Sequence, residues 1–408
     1  MNRLLFLLLP AFVYGETLHE LLQSAKQNNK LVHAQTLTKE SKQKELDSQK
    51  SSYYPTLDIG AYYQSLQERT PTLPGDVYSG YAKAGFDIYD GGKRAALTNQ
   101  KSEEFQASGY DEAELKKSLS LQITQTFYAI KSLESSRKAK EEANIFLASQ
   151  LSRVNAFYEA KLATKDEVER LQSAYDTNIY TIEAIKLDTL KLKQNLQLQT
   201  GQKSETLEAS HFKELLADDF EQVDAIKSLQ ASRNAAKNLA DSVESVYYPQ
   251  IRVEDTYSLY GYNNTDSTHP EGVDAQNKIM LSANFRLYDG GVVAQNKQAL
   301  ELHVAALSKR IEYKSEEQQM QHEFSRENIL TCKAKIKSAK SALNAASSAY
   351  ATIEKKYNAQ VVDNVTYLDA LSAQTSAAAI YETSLNDLEN AYAFYYYISG
   401  KNIEEFLQ

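Results

Sequence analysis

One unit occurs twice in this 408-residue chain, and it restricts the fold more than any other feature. Tyr53-Tyr54-Pro55 returns as Tyr247-Tyr248-Pro249, an offset of 194 (53 to 247). Phe86-Asp87-Ile88-Tyr89-Asp90-Gly91-Gly92 returns as Phe285-Arg286-Leu287-Tyr288-Asp289-Gly290-Gly291, an offset of 199 (86 to 285). The later offset then holds: Tyr158-Glu159-Ala160 aligns with Tyr357-Asn358-Ala359, and Gly201 with Gly400. Ordered landmarks at a nearly fixed spacing mark an internal repeat. The stretch between the first two landmarks is five residues longer in the second copy (199 against 194).

Each copy reads as helix, β-hairpin, long helix, return helix. Helices of about Leu18 to Ser51 and Phe220 to Val246 stop at Pro55 and Pro249, because proline bars the preceding residue from α geometry. Two strands follow in each copy, about 55–90 and 249–289. They are joined by loops holding Pro71, Pro74 and Gly75, or Gly261, Asn263-Asn264, Pro270 and Gly272. Asp-Gly-Gly then turns the chain sharply at Gly91, Gly92, Gly290 and Gly291, and Asp caps the next helix. Long helices are expected over 93–157 and 292–356, and return helices over 165–200 and 364–399. Gly201 and Gly400 stand where a left-handed C-terminal cap belongs. The expected divisions are 16–201, a connecting segment 202–219, 220–400, and a tail 401–408.

The strands alternate as a membrane-barrel wall does. Leu57, Ile59, Ala61 and Tyr63 share a face, as do Ala82, Ala84, Phe86 and Ile88, and Ile279, Leu281, Ala283, Phe285 and Leu287. The strand after Pro249 is weaker, because Asp255 interrupts Ile251, Val253, Tyr257 and Leu259. Each strand is expected to run about nine to eleven residues, enough to cross a bilayer at a tilt. A soluble antiparallel sheet with one buried face gives the same pattern. Four strands cannot close a membrane barrel, whose smallest form uses eight. If the strands lie in a membrane, three copies supply twelve.

The long helices span nearly 100 Å at 1.5 Å per residue. The return helices carry seven-residue seams: Val168, Tyr175, Ile182, Thr189 and Leu196 beside Leu171, Asn178, Ile185 and Leu192. The second copy places Tyr367, Gln374, Tyr381, Leu388 and Tyr395 beside Ala370, Ala377, Ser384 and Ala391. Such polar, small-residue seams suit a sheet of helices around water better than a dry core.

Composition narrows the function. The net charge of −9 argues against nucleic acid, which needs a basic face. One cysteine, Cys332, forbids an intrachain disulfide and a Cys-rich zinc site. The six histidines are scattered without metal spacing, and no serine sits in a nucleophile elbow. No cofactor and no enzymatic activity are expected. The 28 tyrosines suit rings at an apolar–aqueous boundary. Residues 1–15 read as a signal peptide: a short positive start, an apolar core from Leu4 to Val13, and small residues at Val13 and Gly15, with cleavage before Glu16.

Together, the leader, both Tyr-Tyr-Pro and Tyr-Asp-Gly-Gly motifs, and the turns at Tyr158-Glu159-Ala160-Lys161 and Tyr357-Asn358-Ala359-Gln360 resemble the TolC-like outer-membrane efflux proteins. Two departures stand out: Ile88 and Leu287 replace the family's proline, and Lys161 and Gln360 replace its turn glycines. The resemblance implies a mainly α fold with a membrane β-barrel portion, a homotrimer with a 12-stranded barrel continuous with a periplasmic α-helical barrel. The segment 202–219 and the C-terminal end would form an equatorial belt. It implies a passive export duct in contact with outer-membrane lipid, serving an inner-membrane transporter through a periplasmic adaptor. It also implies a gate at the periplasmic tip. Asp369 matches one of two gate acids, and Thr366 replaces the other; Tyr357 and Glu167 match closing contacts. The alternative for Asp369 is a solvated acid near a helix N-terminus. The alternative for the whole chain is a periplasmic or surface coiled-coil scaffold, which explains the helices but neither the hairpins nor the leader.

Overall fold

The computed structural model describes residues 16–67, 75–214, 220–263 and 273–408. The expected leader, the loop tips with Pro71, Pro74, Pro270 and Gly272, and residues 215–219 lie outside the described residues. In chain order the elements are α1 (Leu18–Asn28), α2 (Lys30–Ser51), β1 (Thr56–Ser65), β2 (Asp76–Asp90), α3 (Lys93–Glu159) and α4 (Lys165–Thr200). Then come α5 (Asp224–Val243), a 3-10 turn (Glu244–Tyr247), β3 (Gln250–Asn263), β4 (Ala275–Asn284), α6 (Val292–Asn358), α7 (Asn364–Ile398) and a last 3-10 turn (Ile403–Phe406). The chain is mainly helical with one small sheet. α3 and α6 are each unbroken for 67 residues.

The first helix is two helices. Asn29 ends α1 with extended geometry (φ −70°, ψ 125°). Its Oδ1 accepts from the Leu31 and Val32 amides at 2.8 and 3.2 Å, which starts α2, and its Nδ2 donates to the Gln199 carbonyl at 2.7 Å. A short amide side chain that competes for backbone groups breaks helices this way. The helix expected from Phe220 also starts late. The Glu221 amide donates to the Ser399 carbonyl at 3.0 Å and the Val223 amide to Gln318 Oε1 at 3.4 Å, so this backbone is engaged elsewhere.

By contacts the chain forms two compact units. One takes Thr36–Asp111 and Ala225–Lys314 and holds the sheet. Its helices pack through alanine and charge: α5 buries Ile226, Ala231, Ala235, Ala236 and Ala240, and Lys101 joins Glu45 of α2 to Glu104 of α3 at 2.9 Å each. The sheet is antiparallel in the order β1-β2-β3-β4. β2 and β3 have 15 and 14 residues, longer than expected, while β1 and β4 have 10 each. β3 is thus a central strand paired along both sides, despite Asp255. Two details of the expected alternation fail. A bulge between Asp87 and Tyr89 takes Ile88 out of the ladder and sets Tyr89 opposite Ile251. β4 stops at Asn284, whose partner Gln250 is the first residue of β3; Pro249 before it has no N–H to extend the ladder. Phe285 and Leu287 therefore lie beyond the strand and are exposed.

The other unit takes Met1–Gln35, Glu112–Asp224 and Ser315–Gln408. It has two separate cores. The larger joins Leu18, Leu21 and Leu22 of α1 to Ile123, Phe127 and Ile130 of α3, Leu196 of α4, and Tyr392, Tyr395 and Tyr396 of α7. Burying each such side chain contributes about 1.5–3 kcal/mol. Residues 202–214 cross this core without regular structure and are pinned from outside. Tyr128 Oη donates to the Ser210 carbonyl, Tyr396 Oη to that of Lys213, and Lys131 Nζ to that of Leu207, at 2.7–2.8 Å. The C-terminus joins it through a bridge between Phe212 and Leu407. The smaller core holds Ala143, Leu147, Val154, Leu171, Tyr357, Tyr367 and Leu371.

Along α4 the buried seam is Leu171 and Asn178, then Ile182, Thr189 and Leu196. Both expected registers are used in turn, and the seam changes register by a four-residue step between Asn178 and Ile182. Asn178 is bound there, its Nδ2 donating to the Lys140 carbonyl at 2.7 Å.

Candidate functional site

The helical turn after α3 and the one after α6 are built alike. Lys161 donates its amide to the Tyr158 carbonyl at 2.9 Å, and Leu162 to that of Phe157 at 2.7 Å. Gln360 donates to Tyr357 at 3.0 Å and Val361 to Lys356 at 2.8 Å. Each is a Schellman motif, which needs a left-handed residue at its corner. Lys161 and Gln360 fill that place with φ of 63° and 60°. The turn geometry is thus kept without glycine, at a steric cost of about 1 kcal/mol each.

Past the turns, each return helix is capped by a side chain. Thr164 caps α4 in a capping box with Glu167, whose Oε2 accepts from the Thr164 amide at 2.9 Å. Asp166, next in line, instead accepts from Arg170 Nε at 2.9 Å. Asp363 caps α7: its Oδ1 accepts from the Thr366 amide at 2.9 Å and the Thr366 hydroxyl at 2.6 Å. These two bonds, the hydroxyl's first, hold the Asp363 carboxyl below its ordinary range. Asn364 Nδ2 donates to the Glu167 carbonyl at 3.1 Å, which joins the start of α7 to the start of α4.

Tyr357 is buried and stacks on Tyr367, ring centroids 4.7 Å apart and 18° from parallel. The Arg153 guanidinium lies over the Tyr357 ring at 4.9 Å and donates to Asn358 Oδ1 at 2.6 Å. Tyr350 completes the cluster, its hydroxyl 3.4 Å from that of Tyr367. Burial pushes the Tyr350 and Tyr367 hydroxyls up. Asp369 stands a turn beyond Thr366, exposed, on a groove of about 660 Å³ with Glu169, Arg170, Lys140, Leu368 and Ser372.

The four residues singled out from sequence therefore have separate contacts. Thr366 serves the Asp363 cap, Glu167 the Thr164 cap, and Tyr357 the aromatic stack, while Asp369 faces the groove. Arg153, Tyr350 and Asn364 went unassigned in the sequence reading, and Tyr367 was read only as a seam residue. The seven-residue step from Tyr350 to Tyr357 is the signal that would have found the stack.

The sheet is the second candidate surface. The pairing register puts Leu57, Ile59, Ala82, Ala84, Phe86, Val253, Tyr257, Leu259, Ile279 and Leu281 on one face. Ile59 is 84% exposed, Leu57 74% and Ile279 72%. Among the described residues, the outer edges of β1 and β4 pair with no strand. The opposite face is polar. There Arg252 donates to Asp87 at 2.8 Å and to Glu254 at 2.9 Å, and Lys83 lies 3.6 Å from Glu254. At the end of each hairpin, Asp90 accepts from the Gly92 and Arg94 amides (3.1 and 2.8 Å), and Asp289 from those of Gly291 and Val293 (2.9 and 2.8 Å). Gly91, Gly92, Gly290 and Gly291 all have positive φ.

A family model described as outer membrane efflux protein matches residues 21–202. Over those residues the chain resembles the outer-membrane efflux proteins in sequence. A likeness in fold to solved outer-membrane proteins runs nearly end to end. The Campylobacter jejuni CmeC outer membrane channel matches with a TM-score of 0.83 at 14% identity, over 94% of this chain and 85% of that one. The outer membrane protein VceC from Vibrio cholerae matches at 0.81 and 13% identity, over 95% and 96%. The open state of the Neisseria gonorrhoeae MtrE outer membrane channel matches at 0.77 and 13% identity, over 95% and 89%. No curated protein sequence matches. CmeC and MtrE are described as outer membrane channels and VceC as an outer membrane protein, and at these identities the likeness is one of fold.

Proposed function

We propose that three copies of this chain form an export duct across the outer membrane and the periplasm. The observation that carries the reading is the sheet: one apolar face largely in the open, two edges unpaired among the described residues, and a polar face with charged residues. In water such a sheet is an aggregation hazard. Closed with two further copies it becomes a twelve-stranded barrel, its apolar face against lipid and its polar face around water. Ten residues of strand rise about 33 Å, which fits a bilayer core. Tyrosines stand near both ends of the strands, Tyr62, Tyr63, Tyr78, Tyr260 and Tyr262 toward the loops and Tyr54, Tyr89 and Tyr248 toward the helices, as interfacial belts require. No helix among the described residues is long and apolar enough to cross a membrane. In this reading residues 1–15 are the cleaved leader, the helices wall the periplasmic part, 202–219 and the C-terminal end form the belt, and the tip turns meet an adaptor and an inner-membrane transporter. Asp369, once per chain, supplies the ring of the gate.

The test is fractionation followed by planar-bilayer recording of the native protein. A trimer that resists SDS until heated, found in the outer membrane and conducting, supports the duct. A soluble periplasmic monomer sinks it and favours the coiled-coil scaffold. Asp369→Ala is expected to weaken cation block from the tip side; unchanged block removes Asp369 from the gate.

A further inference from the structure

The polar face of the sheet has a charge pattern that the duct reading does not use. Away from the strand ends it carries Asp58, Asp87 and Glu254 against Lys83, Arg252 and Lys278, three of each sign, in a chain whose net charge is −9. Asp90, at the end of β2, is held by Arg94 at 3.0 Å. Four of the six charges form one chain of contacts across the β2–β3 seam: Asp87 to Arg252, Arg252 to Glu254, Glu254 to Lys83. Arg252 is the middle of it, one guanidinium serving two carboxylates.

The backbone is shaped to let that guanidinium lie flat. A Cβ on Gly85 would stand 2.5 Å from Arg252 Nη2, and one on Gly60 would stand 2.5 Å from the Tyr81 hydroxyl. Both side chains therefore lie down over glycines. The face is low as well as balanced.

We infer that this face is a charge-neutral inner wall of the barrel, and that Arg252 is its specificity-determining residue: it cancels Asp87 and Glu254 so that anionic solutes pass the barrel as freely as cationic ones. The inference rests on the duct reading. Removing Arg252 leaves one uncompensated negative charge per chain and three in the trimer. They would sit at one level of a water-filled wall, where a ring of carboxylates binds polyvalent cations.

The experiment records native and variant trimers in planar bilayers at low ionic strength, with spermine added on the side of the hairpin loops. Arg252→Gln is expected to lower the half-blocking spermine concentration about tenfold. Arg252→Gln with Glu254→Gln is expected to return it to the native value. Lys83→Gln changes the charge in the same direction from the end of the chain of contacts, and decides the matter if Arg252→Gln does not assemble. Native block in a conducting Arg252→Gln trimer, or in the Lys83→Gln trimer where that variant decides, overturns the neutral wall. Absence of any conductance in the native protein counts instead against the duct.

Discussion

Lys161 and Gln360 do by force what glycine does freely. Both hold φ near +60° at the corner of a Schellman turn, and neither corner depends on the side chain to make its bonds. Lys161→Gly and Gln360→Gly are each expected to raise stability by up to about 1 kcal/mol, less the extra freedom glycine gains in the unfolded chain. Thermal unfolding followed by circular dichroism checks this; a lower midpoint in both variants would show that the side chains carry contacts of their own. At Asp363 the expected effect is on pH. Its folded carboxyl titrates below the ordinary aspartate range, so its contribution is present above that range and is lost as the pH falls through the lowered value. Hydrogen-exchange protection at the first turn of α7, taken relative to the intrinsic rate at each pH, should therefore fall in acid, and Asp363→Asn should flatten that dependence. The sequence showed which residues stand at these corners but not what they do. Thr366 reads as a missing acid, whereas its hydroxyl is part of the Asp363 cap, a bond visible only once the turn is folded.

The ends of the elements were legible wherever the chain itself ends them. Pro55, Pro249, the Asp-Gly-Gly turns, Gly201 and Gly400 all act through local geometry, and the strands and helices begin and stop near them, except β4, which ends at Asn284. The break at Asn29 was not legible, because its cause is distant in sequence: Asn29 bonds the Gln199 carbonyl at the far end of α4. Asp255 misled for a related reason, since β3 is held by neighbours on both sides and tolerates one polar residue on its apolar face. Close approach also governs the last turns of α4 and α7. A Cβ on Gly201 would stand 2.7 Å from Asn28 Cβ, and one on Gly400 2.8 Å from the Glu221 carbonyl oxygen, both at positive φ. Gly201→Ala and Gly400→Ala are each expected to cost about 2 kcal/mol or more. Neither obstacle yields cheaply, because a Cβ is fixed to its backbone much as a carbonyl oxygen is. Denaturant midpoints compared with the native protein test the size of both losses.

On the scale of the whole molecule, the sheet is where sequence reasoning reached furthest. In the proposed duct four strands with one apolar face need partners, and the register makes that face continuous across all four strands. Asp255 is the one carboxylate in the middle of that face, opposite Ala84 and Ile279. In a barrel it costs insertion energy, so Asp255→Leu is expected to raise the temperature at which the trimer dissociates in SDS. A lower temperature would place Asp255 against something other than lipid.

The order of strands has a consequence in time. β2 pairs with β3, yet everything from Gly91 to Pro249 is made between them. As the chain emerges, the first hairpin must wait with its greasy side bare while two helices, a connecting stretch and a third helix go by. A ribbon of two strands is barely stable in water, and pairings between remote segments form slowly. The first hairpin thus gains its lasting partner only when β3 docks.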